Sequence, residues 1–335
     1  MDLAFQGLGK VFPNPMVGCI IEHQGQIIGK GFHEDFGGNH AEVNAINSVA
    51  EKDLLAASTL YVNLEPCCHT GKTPPCTARI IESGIKKVII ANRDPNPIIS
   101  GKGIEFLKKN KIHIEENILA ETGRDLNRRF FTFHEKRRPY IILKWAQTAD
   151  GFVDHLRISS DVAAKKISNS ASHNLVQQWR GEEQSVMVGT GTVLLDNPRL
   201  TLRNSSGRKP WRITIDRNSI IDDKANILDG SAPTIIFSNQ SIRSQKGIHW
   251  VSIDFNRNIL SQIMAALYER QIGSVIVEGG PTLLGSFLNE NLWDEIRLFT
   301  SHEKIHRGVK APHLPLKPVS SENLEGDSLQ IFRNV

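Results

Sequence analysis

Short apolar runs broken by turn residues alternate along the chain with longer stretches in which apolar positions recur at helical spacing. Met16–Glu22 and Gln26–Phe32 read as strands joined through the polar His23-Gln24-Gly25 as a hairpin. From His40 to Glu51 the apolar positions Ala41, Val43, Ala45, Ile46 and Val49 predict a helix, with Asn39 as its N-cap. Thr59–Leu64 predicts a strand. Pro74-Pro75 opens a helix that carries Ile80 and Ile81 and stops at Gly84, and Lys87–Ala91 is a further buried strand. A helix over Gly103–Asn110, an edge strand at Ile112–Glu115 and a longer helix over Asn117–Glu135 complete this half.

Pro139 starts a new strand, Tyr140–Trp145, so the boundary between two domains falls near 136–140, giving domains 1–138 and 139–335. Beyond it, Ser185–Val188, Trp211–Ile215, Thr234–Phe237, Ser274–Val277 and Glu295–Phe299 read as strands. Helices are predicted over 162–179, 257–271 and 281–290, and Asn204–Lys209 is a polar loop. Strands and helices alternate in both halves, which places the fold in the α/β class.

The 335 residues suit two domains at roughly 100–200 residues each. Hydrophobic residues make up 39% and charged residues 23%, the balance of a globular chain. No stretch reaches the ~20 apolar residues of a membrane span. The start, Met1-Asp2-Leu3-Ala4-Phe5-Gln6, lacks the basic residues and apolar run of a signal peptide, so a cytoplasmic protein without membrane association is expected. The net charge of +4 is mild, and the densest basic cluster, Lys136-Arg137-Arg138, reads as a solvated junction. All four cysteines, Cys19, Cys67, Cys68 and Cys76, lie in the first quarter, a clustering that points to metal or catalysis rather than a disulfide framework.

His40-Ala41-Glu42 opens a helix, Glu65-Pro66-Cys67 follows a strand, and Pro74-Pro75-Cys76 opens the next helix. That order is the signature of zinc deaminases, H-x-E followed by P-C and a second Cys. One imidazole and two thiolates give zinc three protein ligands and leave the fourth tetrahedral position open for water. The metal lowers that water's pKa from ~16 toward ~7, and Glu42 stands where it can take the water's proton and pass it to a leaving nitrogen. A structural zinc site is the competing reading, but it favours four ligands in paired C-x₂₋₄-C spacing. Cys68 and His69 are rival ligands by position and are read as non-ligands, three ligands being already in place; Cys19, in an apolar strand, is read as core.

In the second half, Val188-Gly189-Thr190-Gly191-Thr192 and Glu278-Gly279-Gly280 each follow a strand and lead into a helix. Glycines there let backbone approach a phosphate and leave amide N–H groups free to bind it. A tight strand-to-helix turn alone is the plainer reading of either, and the pair together favours a dinucleotide site. Asp196, Arg203 and Arg180 are further candidates, arginine being suited to bidentate phosphate binding.

Residues 13–18 (PNPMVG), 40–46 (HAEVNAI), 65–76 (EPCCHTGKTPPC) and 93–97 (RDPNP) resemble the bifunctional riboflavin-biosynthesis deaminase/reductase family. The long P-C-x₈-C spacing is similar to that family rather than to cytidine or tRNA adenosine deaminases. The resemblance continues through Lys144–Gly151, Val188–Thr192, Asp196–Arg203 and Glu278–Leu283, nearly the whole chain. It implies an N-terminal cytidine-deaminase-like three-layer α/β/α domain followed by a dihydrofolate-reductase-like α/β domain. The first would deaminate 2,5-diamino-6-(ribosylamino)-4(3H)-pyrimidinone 5'-phosphate. The second would use NADPH to reduce the ribosyl group to ribityl, giving 5-amino-6-(ribitylamino)uracil 5'-phosphate. By the same resemblance His40, Cys67 and Cys76 hold Zn²⁺, Glu42 is catalytic, and Asn14, Lys72 and Thr73 meet the deaminase substrate. Arg180, Leu200, Arg203 and Glu278 match reductase substrate positions, while Gln147, Thr192, Asp196 and the turn with Gly280, Pro281 and Thr282 match cofactor positions. A homo-oligomer acting on a small phosphorylated pyrimidine, with no nucleic-acid partner, is implied.

Departures from the family pattern leave alternatives open. Where Ser-x-Trp-Ile-Thr is common, this chain has Ala164-Lys165-Lys166-Ile167-Ser168, in which Lys166 is read as a contact to the anionic cofactor. Ser301–Pro312 is more charged than usual, and the first helix of the family starts several residues earlier. A deaminase with a degenerate partner domain is one alternative. A polynucleotide deaminase is another, but it calls for a basic face with interleaved aromatics, which the second half does not offer. A non-enzymatic zinc module is the last.

Overall fold

The computed structural model describes residues 1–69, 74–97, 99–202, 208–240 and 244–334, position 244 by its backbone alone. The chain divides into two compact units, Met1–Arg138 and Pro139–Val335. Among the described residues no helix is long and apolar enough to cross a membrane.

In the first unit α1 (Asp2–Phe5) leads to β1 (Gly18–His23) and β2 (Gln26–Phe32). Gln24 and Gly25 between the strands both take positive φ, 50° and 84°, the backbone of a two-residue hairpin turn whose twist matches the strands. There follow α2 (Ala41–Ser48), β3 (Thr59–Leu64), α3 (Cys76–Glu82), β4 (Lys87–Asn92), α4 (Lys102–Lys109), β5 (His113–Glu116), α5 (Ala120–Leu126) and α6 (Arg128–Lys136). The sheet runs β2-β1-β3-β4-β5, with β1 antiparallel to its neighbours and β3, β4 and β5 parallel. Strand periodicity sends Cys19, Ile21, Leu60, Val62, Val88 and Ile90 to one face, where they bury against Ala45 and Ile46 of α2, Ile80 of α3 and Ile104 and Leu107 of α4. On the other face Ala4 of α1 lies against Gly18 and Gly123 of α5 against Ala91. Phe130 and Phe131 of α6 pack with Leu64 at the end of β3. The result is a sheet between two helical layers.

Two local expectations are corrected here. Asn39 does not cap α2; His40 takes the N-cap position without a side-chain capping bond, and the Asn39 carbonyl instead meets His33 Nδ1 at 2.9 Å. The single helix expected over Asn117–Glu135 is two, broken at Asn127. The Asn127 side chain is buried and behaves as a strand neighbour for Met16: Oδ1 accepts from its N–H at 2.8 Å and Nδ2 donates to its carbonyl at 2.9 Å. That long-range pairing overrides the helical periodicity.

In the second unit the elements are β6 (Tyr140–Gln147), β7 (Phe152–Asp154), α7 (Ser170–Glu182), β8 (Ser185–Val188), α8 (Thr190–Asp196), β9 (Trp211–Ile215), β10 (Thr234–Ser238), β11 (Ser244–Gln245) and β12 (Ile248–Ser252). Then come α9 (Ile259–Glu269), β13 (Ser274–Val277), α10 (Pro281–Asn289), β14 (Glu295–Thr300), β15 (Val309–Lys310), β16 (Ser320–Leu324) and β17 (Asp327–Arg333). The large sheet has the order β11-β12-β10-β9-β8-β13-β6-β14-β17-β16, parallel from β12 through β14. Ile141, Leu143, Val275 and Val277 face α9 and α10, while Ile142, Ile276 and Phe299 face Val176 and Trp179 of α7. The helix expected from 162 starts only at Ser170: Asn169 caps it, accepting from Ser172 N–H at 2.8 Å, and its own N–H bonds Asp327 at 2.8 Å. The polar edge strand β16 and its inner neighbour β17 were not among the expected elements.

Candidate active sites

The first site is assembled from three places in the first unit. His40 stands at the N-cap of α2, in extended backbone (φ −74°, ψ 161°), with Glu42 in the first turn behind it. Cys67 lies in the loop after β3, and Cys76 begins α3. Gly31 lets α2 lie directly on β2, since a Cβ there would come within 2.3 Å of the Ala45 nitrogen. The Cys67 loop is fastened by Glu65, whose buried carboxylate accepts from Gly101 N–H and Gly103 N–H, each at 2.9 Å, and from Ile104 N–H at 3.3 Å and Asp94 N–H at 3.2 Å. Glu65 therefore ties the loop to the start of α4. Sequence reading took it only as part of a motif; a carboxylate serving as a backbone cap has no signature of its own.

His40 Nδ1 is 3.1 Å from Cys76 Sγ and 3.5 Å from Cys67 Sγ, and the three ligand atoms lie within 4.8 Å of one another. A tetrahedral zinc ion with bonds of about 2.3 Å to sulfur and about 2.0 Å to nitrogen requires edges of about 3.5–3.8 Å, so this donor set fits the ion after only small adjustment. Two thiols and an imidazole are also the soft ligands zinc prefers. The neighbouring Cys76 thiol holds the Cys67 thiol well below its ordinary range, and the same interaction pushes Cys76 up. The Cys76 backbone N–H, at 3.4 Å from Cys67 Sγ, also favours thiolate at Cys67. Glu42 is 3% exposed, and burial, reinforced by the negative charge of Cys67, raises its carboxyl to about 7. Among the described residues Cys68 and His69 are not part of the cluster, and Cys19 is fully buried in the core.

Asn14 reaches this region through a residue the sequence reading missed. His33, 2% exposed, places Nδ1 2.9 Å from the Asn39 carbonyl and Nε2 3.0 Å from Asn14 Nδ2, and its ring stands edge-on to that of His40. A carbonyl can only accept, so Nδ1 carries the hydrogen; burial lowers the pKa of the ring, and its Nε2 then accepts from the Asn14 amide. Asn14 is thereby oriented with Nδ2 toward His33 and Oδ1 turned away from it. The only signal in sequence is a histidine closing an apolar strand. Lys72 and Thr73 lie outside the described residues.

The second site is a cavity of about 790 Å³ at the carboxyl ends of the parallel strands β6, β8, β9 and β13, the end at which open α/β sheets bind ligands. Both glycine turns line it: Gly189 is the N-cap of α8 and Gly280 the N-cap of α10, with Pro281 in the first turn. Of the expected residues Lys166, Thr192, Asp196, Glu278, Gly280, Pro281 and Thr282 are on its wall. Arg180 is not itself on the wall but grips Glu278 through two bonds of 2.7 Å. Burial pushes the Glu278 carboxyl up, but Arg180 and Lys144 together outweigh it and hold the group ionised. Lys144, also on the wall, has its ammonium pKa lowered by burial.

The remaining expected residues lie elsewhere. The Leu200 side chain is 4% exposed in the core beside Val186 and Val193, at a positive φ of 50°. Gln147 borders a separate cleft of about 480 Å³ with Lys310 and Gln330, and accepts from Trp145 Nε1 at 3.1 Å. Arg203 lies outside the described residues. A further wall residue, Arg157, gave no signal in sequence, being a lone arginine in a polar stretch.

Comparison with known proteins finds relatives of both units. Residues 3–92 match the cytidine and deoxycytidylate deaminase zinc-binding region, and residues 139–301 match the RibD C-terminal domain. The riboflavin biosynthesis protein RibD of Aquifex aeolicus is 39% identical over 99% of this chain and 95% of its own length. The structure of a diaminohydroxyphosphoribosylaminopyrimidine deaminase/5-amino-6-(5-phosphoribosylamino)uracil reductase from Thermotoga maritima superimposes with a TM-score of 0.88 at 38% identity, covering 100% of this chain and 96% of that one. RibD from Acinetobacter baumannii gives 0.89 at 30% identity, covering 99% and 96%. The α/β architecture is that of a cytidine-deaminase-like unit followed by a dihydrofolate-reductase-like unit, and the enzyme serves riboflavin biosynthesis through a deamination and a reduction. With its two units, its His-Cys-Cys cluster and its glycine-walled cavity, this chain belongs to the bifunctional RibD family.

Proposed function

We propose that the first unit hydrolyses the amino group from 2,5-diamino-6-(ribosylamino)-4(3H)-pyrimidinone 5'-phosphate and that the second reduces the ribosyl chain of the product to ribityl with NADPH. The observation that carries the reading is the meeting of His40, Cys67 and Cys76 with the buried carboxyl of Glu42 behind them. Zinc held by those three side chains supplies the Lewis acidity that makes water nucleophilic at neutral pH. Glu42 takes a proton from the attacking water and delivers it to the departing nitrogen, which leaves as ammonia. Asn14 Oδ1, oriented by His33, accepts from an N–H of the ring, and Lys72 and Thr73 are assigned the substrate phosphate by family resemblance.

In the second unit NADPH supplies the hydride. The backbone amides of the two glycine turns suit its pyrophosphate, with Thr192, Asp196 and Lys166 on the same wall. Arg180 holds Glu278 ready to accept from a hydroxyl of the ribosyl chain. A degenerate second unit is the weaker reading, since a cavity of about 790 Å³ lined by both glycine turns is present despite Ala164 and Lys166.

The test is to incubate purified, zinc-loaded protein with the diaminopyrimidinone phosphate, with and without NADPH. Ammonia is expected in both cases and NADPH oxidation in the second. Ammonia without NADPH oxidation would leave only the deaminase, and no ammonia would overturn the reading.

A further inference from the structure

Residues 155–169 contain neither helix nor strand, yet Arg157 and the run 164–168 form a wall of the second unit's cavity. Apolar burial does not hold the first part of this segment, where Leu156 is 60% exposed, Ile158 100% and Val162 45%; near its end Ile167, 8% exposed, is buried. What holds the first part is a set of charged bonds. At its start, Asp154 Oδ1 accepts from the N–H groups of His155 and Lys165, each at 2.9 Å, and so closes the segment into a loop. The Arg157 side chain, 6% exposed, then crosses to α8. Its Nε donates to Asp154 Oδ2 at 2.7 Å and its Nη2 to Asp196 Oδ1 at 2.5 Å. Its Nη1 reaches the carbonyls of Val162 at 3.3 Å and Leu195 at 3.4 Å.

One planar guanidinium thus joins the end of β7, the loop itself and the last turn of α8, a task for its fork of donors that an ammonium cannot perform. On the Asp196 carboxylate it engages Oδ1 only. Asp196 lines the cavity, and among the described residues no bond is made to its Oδ2. That oxygen is an acceptor suited to a hydroxyl donor such as a ribose 2'- or 3'-hydroxyl.

We propose that Arg157 is a positioning residue for the dinucleotide: it sets the Asp196 carboxylate to receive a cofactor hydroxyl and fixes the 164–168 wall against the bound molecule. The inference rests on the reading that this cavity takes NADPH. It concerns cofactor binding rather than hydride transfer, so its signature is a split between KM and kcat.

The experiment uses the full-length, zinc-loaded protein and its R157A and R157K variants. NADPH affinity is measured by fluorescence titration, NADPH oxidation is followed with deaminated substrate supplied, and ammonia release reports the first unit. R157A is expected to raise the Kd and KM for NADPH by about tenfold or more, because an oriented charged bond is lost. Its kcat at saturating NADPH should stay within about threefold of the parent and its ammonia release should be unchanged, because Arg157 is not assigned to either chemical step. R157K, which can hold one carboxylate but not bridge two, should fall between. Unchanged Kd in R157A, or a fall in kcat at constant KM, overturns the proposal. If R157A does not fold, R157K decides: a raised KM at near-parental kcat supports the proposal, and a parental KM overturns it. Failure of the parent protein itself to bind NADPH would sink the reading of the cavity, a result distinct from parental binding left intact by both variants.

Discussion

Glu42 illustrates how a single position acquires its role. It follows His40, the proposed zinc ligand, by two residues, and burial in the first turn of α2 leaves it 3% exposed among thiols. Replacing it with glutamine keeps the shape and removes the titrating oxygen. Ammonia release by E42Q should fall by about 10³-fold or more, in the upper range of general acid–base contributions, while zinc content measured by elemental analysis stays at the parental level. Asp94 gives a test of stability against pH. It is 6% exposed, and burial, working against the bond from Asn96 N–H, raises its carboxyl from 3.8 to about 6. A raised carboxyl binds its proton more tightly in the folded state, so the contribution to stability is present below about 4 and is lost as pH rises toward 6. D94N keeps an acceptor for Asn96 without the charge. Its denaturation midpoint should exceed that of the parent at pH 8, by up to about 3 kcal/mol of stability, and the difference should vanish below pH 4. An equal midpoint at both pH values would show that the burial of Asp94 is relieved by other means.

At the scale of elements, the placement of α2 decides whether the first site exists. The helix lies on the β1–β2 hairpin because Gly31 carries no side chain: a Cβ there would sit 2.3 Å from the Ala45 nitrogen and 2.5 Å from the Ala41 oxygen, both backbone atoms of α2 and its start. Alanine at this position cannot be absorbed by a rotamer change. G31A is expected to lose about 1–3 kcal/mol of stability and, because His40 caps the same helix, to weaken zinc affinity by about tenfold, read by competitive zinc titration. A variant with reduced stability and unchanged zinc affinity would show that α2 moves as a body with both cysteines. The apolar central strands of both sheets were legible in sequence as runs between turns, and α3 was legible because two prolines start it and Gly84, at φ 82°, ends it. Less legible were boundaries set by distant partners: Asn127 breaks a helical pattern to pair with Met16, and Asn169 begins α7 late because Asp327 and Ser172 claim it.

For the whole molecule, each unit has its own buried core, one around Leu60, Val62 and Ile80 and another around Leu143, Val275 and Phe287. The two ligand sites are therefore expected to report separately on heating. Chelation should lower only the transition that belongs to the first unit, and NADPH should raise only the other, since a ligand stabilises the unit it binds, by about 4 kcal/mol at a thousandfold excess over Kd. Chelated protein should release no ammonia yet oxidise NADPH when deaminated substrate is supplied. A single transition that responds to both treatments would mean that the units unfold together.

What the sequence determined by itself was the chemistry of the first site and the class of the fold. His-x-Glu, Pro-Cys and Pro-Pro-Cys are local patterns tied to helix starts and strand ends, and alternating periodicity suffices for α/β. Even the family was readable, because its motifs are short and contiguous. The tertiary structure alone decided which side chains support those motifs. Glu65 pins the cysteine loop through backbone amides of Asp94, Gly101, Gly103 and Ile104; His33 turns Asn14; and Arg157 joins Asp154 to Asp196. These residues have no periodicity and no fixed spacing from their partners. Their roles arise from contacts between segments distant in the chain, and such contacts exist only once the sheets have brought the segments together.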